Sequence, residues 1–208
     1  MSLKPFTTLD AVAVPFLRPD VDTDTIMPSR EMKHVSKTGL ADGLFAGLRY
    51  RQMGGRDPNP DFVLNDPRYA GAEVLLGGAN FGCGSSREHA VWGLAEYGFR
   101  AILAPSFNPI FYANCTRNGI LPVVVSQETI EAIALAVAAA PRQNLVHIDL
   151  QAQTLKGPGG TSASFPIARE VRDMLLYGLD MIGLTLQRRE EIEAFRAADR
   201  EKRPWAYL

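Results

Sequence analysis

An α/β fold with a mostly parallel central sheet is predicted for this chain, and three observations carry the prediction. Between residues 73 and 140, short apolar runs ("EVLLGG", "RAILAPS", "LPVVVS") alternate with segments of helical period ("SSREHAVWGLAEYG", "NPIFYANCTRNG", "QETIEAIALAVAAA"). Strands alternating with helices of this length imply parallel pairing through crossovers. The helix starts are also punctuated: Pro109 suits a first turn, and Ser126 suits an N-cap. Finally, 208 residues suit one domain with a sizeable core, here residues 1–208.

The flanking elements follow in order. "LDAVAVPFL" (9 to 17) reads as a strand, followed by the polar "RPDVDTDT". Residues 29 to 60 read as an irregular surface excursion ending in "GGRDPNP", and loops of that length are usually functional or mobile. From about 142 to 208 a small α+β extension is expected. It comprises a hairpin around Gly157–Gly160 and two short helices near 167 to 177 and 188 to 200.

Composition narrows the function classes. Twenty-two basic and 23 acidic residues leave a formal charge of -1, without a nucleic-acid or membrane-surface signature. Cys83 and Cys115 are too few for a disulfide framework or for a metal or cluster site built by this chain alone. The N-terminal stretch has no apolar export segment, and "AIALAVAAA" is too short to span a bilayer, so the expected compartment is the cytoplasm.

Chemistry concentrates in "GGANFGCGSSREHAVWGLAEYG" (77 to 98), where glycines, two serines, Arg87 and His89 surround a helix start. Ser85 and Glu88 match a capping box, a purely structural reading. A dinucleotide fingerprint fails, because Arg87 stands where the third glycine belongs and the next strand ends in "LAPSF" without an acidic residue. "GCGSSRE" is not a hydrolase elbow, and a triad with His89, His34 or His147 has no support from spacing. Cys83 reads either as a thiol near a helix end or as packing. A carboxylate site uses every residue of the stretch: helix N–H donors, the planar Arg87 fork, and a serine hydroxyl among those donors that transfers a proton.

A second cluster, Asp20, Asp22 and Asp24 with Glu31, imitates a calcium loop. Thr25 at the obligatory glycine position, Pro28 inside the loop and no preceding helix argue against calcium. What remains is a solvated turn, or a carboxylate that orients a histidine or a substrate group.

Together "DVDTDTIMPSR", "PNPDFVLN", "NFGCGSSREHAVWGLAEYGFRAILAPSFNPIFYANCTRNGILPV" and "GLDMIGLTLQ" resemble the small-subunit family of bacterial isopropylmalate isomerase (3-isopropylmalate dehydratase), in the aconitase superfamily. The resemblance runs from about residue 5 to about residue 200. It implies a swivelling β/β/α domain that closes over a large subunit holding a [4Fe–4S] cluster on three of its own cysteines. The implied reaction is a hydro-lyase interconversion of 2- and 3-isopropylmalate in leucine biosynthesis. Carried over by motif, Ser85 is the proton-abstracting base, and Ser86 and Arg87 hold substrate carboxylate. Asp24 is then the partner of a histidine on the other subunit, and Cys83 is structural. The stretch 29 to 43 is implied to select the substrate, with Arg30, Lys33 or Lys37 as its carboxylate contact and Met32 and Val35 against the isopropyl group. Related hydratases of citraconate or homoaconitate share these motifs. A nucleotide-binding or regulatory module is the competing class.

Overall fold

The computed structural model describes residues 3–32, 36–84 and 87–207, and eight strands in these residues build two sheets. In chain order the strands are β1 (Thr8–Ala11), β2 (Ala13–Phe16), β3 (Val74–Gly77), β4 (Ala101–Ala104), β5 (Leu121–Val124), β6 (Val146–Asp149), β7 (Thr154–Lys156) and β8 (Ser162–Ser164). β2-β3-β4-β5 form an all-parallel sheet, with Val14 opposite Leu75, Leu75 opposite Ile102 and Ile102 opposite Pro122. β3 and β4 are buried at every residue, as expected of strands covered on both faces. Pro15 and Pro122 lie on β2 and β5, the two edges, where a missing N–H breaks no central ladder.

The N-terminal run is two strands and not one. Val12 separates β1 from β2, and its carbonyl accepts from the N–H groups of Glu73 and Val74. β1 leaves the parallel sheet to pair antiparallel with β6 in a second sheet, β1-β6-β7-β8. An unbroken apolar run carries no local mark of a change of sheet, so the sequence reads as continuous. The expected hairpin around Gly157–Gly160 is present as β7 and β8, but β6 precedes it to make a three-strand meander.

The helices are α1 (Thr23–Ile26), α2 (Ala46–Arg49), α3 (Glu88–Tyr97), α4 (Pro109–Arg117), α5 (Gln127–Ala139), α6 (Arg169–Tyr177), α7 (Met181–Leu186) and α8 (Arg189–Lys202). α4 starts with Pro109 after an Asn108 cap, and Ser126 caps α5 by accepting from the Thr129 N–H. α3 starts later than the sequence suggests. Its N-cap is Arg87 and its first residue is Glu88, so Glu88 does not occupy the third position that a capping box with Ser85 requires. α3 and α4 pack against each other, while α5 lies across β2, β3 and β4. In the 29–60 stretch only α2 and two 3-10 turns, Ser29–Glu31 and Ala41–Gly43, are helical among the described residues. α7, in "GLDMIGLTLQ", escapes the sequence reading, because six residues are too few to show a period.

Candidate active site

The two polar motifs, some 60 positions apart in the chain, meet beyond the carboxyl ends of β2 and β3. The loops there continue the parallel pairing. Asp20 N–H donates to Ala79 O (2.9 Å), Gly82 N–H to Val21 O (2.8 Å) and Thr23 N–H to Cys83 O (3.1 Å). The third loop joins through Phe81 N–H to Ser106 O (3.0 Å) and Asn80 N–H to Ser106 Oγ (2.8 Å). Ser106, just after β4, therefore ties loops together where a dinucleotide-binding fold would hold a ribose.

Two glycines make this approach sterically feasible. A Cβ on Gly78 would lie 2.4 Å from the Arg18 carbonyl oxygen, so only bare backbone lets the β2 loop pass. Gly82 has φ +75°, and a Cβ there would lie 2.1 Å from Cγ of Phe111. Both residues serve loop packing, a task the sequence could not separate from cradling an anion.

The aspartates divide the work. Asp22 caps α1, its Oδ1 accepting from the Thr25 N–H at 2.6 Å, and Asp20 Oδ1 accepts from Asn80 Nδ2 at 2.8 Å. Asp24 is thereby turned toward the start of α3, where its Oδ1 lies 3.0 Å from Arg87 Nη1. The pair is half-open to solvent. Beside it lies a depression of about 300 Å³ bordered by Asp22, Asp24, Thr25, Arg18 and Arg30. Arg30 donates through Nε to Glu31 Oε1 (3.2 Å), while its Nη2 is buried without a hydrogen-bond acceptor. Glu31 is itself held by Arg56 Nη2 at 2.6 Å. Burial raises the Glu31 pKa, but the Arg56 and Arg30 guanidiniums outweigh it and hold the carboxyl below its ordinary range. The site thus sets cations against carboxylates at the open end of a parallel sheet, where such folds bind small anions.

The other expected residues fall differently. Lys37 is not in this depression: its Nζ donates to Asn118 Oδ1 (3.1 Å) and stands 5.2 Å from the Trp92 ring centre, in a separate groove. Ser85, Ser86, Lys33, His34 and Val35 lie outside the described residues. Met32 packs on the core. His147 Nδ1 lies 2.8 Å from Asp10 Oδ1 across β6 and β1, and the His89 ring lies tilted against Trp92, 4.7 Å between centres, so neither joins Asp24. Burial, then Asp22 and Asp20, push the Cys83 thiol up, and burial alone pushes Cys115 well up, so neither is disposed to ionise. Among the described residues no group of three His, Cys, Asp or Glu side chains could hold a metal ion.

Residues 3–128 match the family model of the aconitase C-terminal domain, and residues 181–207 match that of the C-terminal domain of 3-isopropylmalate dehydratase small subunits. A 3-isopropylmalate dehydratase small subunit from Cupriavidus necator is 54% identical over 206 residues, covering 99% of both chains. The chain belongs to the 3-isopropylmalate dehydratase small-subunit family. A second member of that family, from Saccharophagus degradans, is 48% identical over 99% of this chain and 98% of its own. A crystal structure of 3-isopropylmalate dehydratase from Methanocaldococcus jannaschii superposes with a TM-score of 0.65 at 26% identity, covering 91% of this chain and 99% of that one. The family resemblance read from the motifs is therefore correct, as is the α/β swivel fold.

Three residues in the site or in the neighbouring groove were missed in the sequence. Arg18 borders the depression, and its signal was its place at the carboxyl end of a parallel strand. Asn118 gathers Lys37, Trp92 and Glu88 on one side chain. Glu96 carries a carboxylate in the last turn of α3, where the helix macrodipole disfavours it.

Proposed function

We propose that this chain is the small subunit of a two-subunit hydro-lyase that interconverts 2- and 3-isopropylmalate in leucine biosynthesis, with Ser85 as the proton-transferring base. In this reading the large subunit would hold the [4Fe–4S] cluster, which would supply Lewis-acid assistance to loss of the hydroxyl. This chain supplies the opposite wall of the site as one swivelling domain, residues 1–208. Arg87 grips a substrate carboxylate through its fork, Ser86 adds a hydroxyl donor, and Arg30 or Lys33 faces the remaining anionic end. Asp24 steadies Arg87 and, once the two subunits close on each other, a histidine of the partner. No helix among the described residues is long and apolar enough to cross a membrane, and the cytoplasm is the expected compartment.

The observation supporting this reading most directly is the 3.0 Å meeting of Asp24 and Arg87 at the carboxyl ends of β2 and β3. A pair built only for stability gains little at so exposed a place. A pair that presents an arginine to an incoming carboxylate needs to be there.

The test is to reconstitute the full chain with its large subunit under anaerobic conditions and compare Ser85→Ala, Ser85→Gly and Arg87→Lys. Loss of a general base should lower kcat about 10²–10⁴-fold in both serine variants. Arg87→Lys keeps the charge and loses the fork, so KM should rise along with a lower rate. An active Ser85→Gly enzyme would refute the assignment of the base.

A further inference from the structure

We propose that Glu96 positions the substrate-selecting segment: its carboxylate, seated in a concavity of three consecutive backbone N–H groups, locks residues 39–41 to the helix that carries Arg87. The inference rests on the reading above, that the 29–43 stretch borders the substrate. It adds the residue that sets where that stretch stands.

The geometry is specific. Gly39 N–H donates to Glu96 Oε1 at 2.6 Å, and Leu40 and Ala41 donate to Oε2 at 2.5 and 2.8 Å. Three successive amides converge here because the chain alternates hands just before the 3-10 turn Ala41–Gly43. Gly39 has φ +83° in the left-handed region, and Leu40 follows at φ −97°, ψ −20°. This alternation forms an anion-holding nest, and here the anion is a side chain of the same molecule. A Cβ on Gly39 would meet nothing within 4 Å, so glycine is required there for its backbone angle and not for space.

Glu96 gains nothing from its own helix, whose C-terminal carbonyls repel it. Its placement is explained by what it holds. α3 spans about 14 Å from Arg87 to Glu96, one end at the Asp24 pair and the other at the nest. Between them Gly93 leaves room for Met27, with Leu40 in ordinary contact beside it. A Cβ there would lie 2.3 Å from Cε of Met27, which follows α1, and 3.7 Å from the Leu40 carbonyl oxygen. One rigid helix therefore sets the relative position of Asp24, Arg87 and the selecting segment. Lys37, through Asn118 and Trp92, ties the same segment to α3 and α4 at a second point. Burial raises the Glu96 pKa, yet the three amides outweigh it and hold the carboxyl below its ordinary value, so the clamp is charged at neutral pH.

Two measurements on the full-length chain test the proposal. Hydrogen exchange on the small subunit alone should show the amides of 39–41 opening roughly tenfold or more faster in Glu96→Ala, and less so in Glu96→Gln, which keeps one acceptor oxygen. In the reconstituted enzyme Glu96→Ala should raise KM for isopropyl-substituted maleate about three- to tenfold with kcat within twofold. Its preference for isopropyl- over methyl-substituted maleate should fall, and Glu96→Gln should restore part of both. Faster exchange with unchanged KM and unchanged preference would overturn the proposal, reducing Glu96 to a structural tie. Unchanged exchange would overturn it directly, as would a fall in kcat at constant KM. Failure of the unaltered pair to turn over isopropylmaleate would strike the proposed function instead, and the exchange measurement would still decide the clamp.

Discussion

Replacing Asp24 by Asn separates a structural ion pair from a functional one. The substitution keeps the size of the side chain and removes the charge that meets Arg87 at 3.0 Å. At this distance the bare attraction is about 1.4 kcal/mol with a water-like dielectric and about 5.5 kcal/mol at an effective value near 20. With side-chain exposures of 51% for Asp24 and 31% for Arg87, solvent and the ordering of two flexible groups remove most of that. The net contribution is then at most about 1 kcal/mol. A chain of this length changes Tm by roughly 2–4 °C per kcal/mol, so Asp24→Asn should melt within about 4 °C of the unaltered protein. If Asp24 steadies Arg87 and a partner histidine, turnover should instead fall about 10–100-fold or more, as when an orienting carboxylate is lost. Differential scanning fluorimetry on the isolated chain and steady-state kinetics on the reconstituted pair give the two numbers. Turnover within twofold of the unaltered enzyme would refute the functional role. A drop in Tm much beyond 4 °C would show that the pair holds the loop in place.

Three further outcomes follow from the same structure. Gly82→Ala forces a Cβ against Phe111 at φ +75°, whereas Gly98→Ala, at φ +118°, meets nothing within 4 Å. The first should therefore cost about 2–5 kcal/mol and the second only about 1–2 kcal/mol, read as urea midpoints at constant slope. Ser126→Ala removes the cap accepting from Thr129 N–H and should lower stability by about 0.5–2 kcal/mol without altering KM, because Ser126 follows β5, the edge strand opposite β2. The folded-state pKa of Glu96 and of Glu31 is depressed below 4.5, so each contributes stability that is complete above that pH and is lost as pH falls through the depressed value. An acid titration of Glu96→Gln should accordingly lose less stability below pH 4.5 than the unaltered chain, and equal losses would contradict the contact.

The sequence made the central α/β unit readable because its signals are local. Pro109 and Ser126 start their helices where expected, and the apolar runs around Leu75, Ile102 and Val123 are the buried strands they resemble. Asp24 and Arg87 were legible as chemistry, since an aspartate run and a serine–arginine pair at a glycine turn are uncommon combinations. Their meeting was not. It depends on backbone hydrogen bonds between loops, such as Thr23 to Cys83, which no spacing encodes. Lys37 illustrates the same limit: a lysine in a polar loop looks equally fit for substrate or for Trp92, and only the packed neighbour decides. Glu96 was the most legible of the missed residues, because an acid at a helix C-terminus contradicts the dipole and asks for a partner elsewhere.

The separation of β1 from β2 at Val12 has a consequence for how the chain is made. β2 can find β3, β4 and β5 once residue 124 has emerged from the ribosome, and all four strands of the parallel sheet are then present. β1 must wait for β6, since Asp10 pairs with His147, 137 positions further along. Pairing across such a separation closes a large loop and is slow. Until then the first strand offers an unpaired edge, beside a parallel sheet whose four strands are already in place. Truncation between α5 and β6 would make that transient condition permanent, leaving the parallel sheet with its covering helix α5 and a sticky first strand.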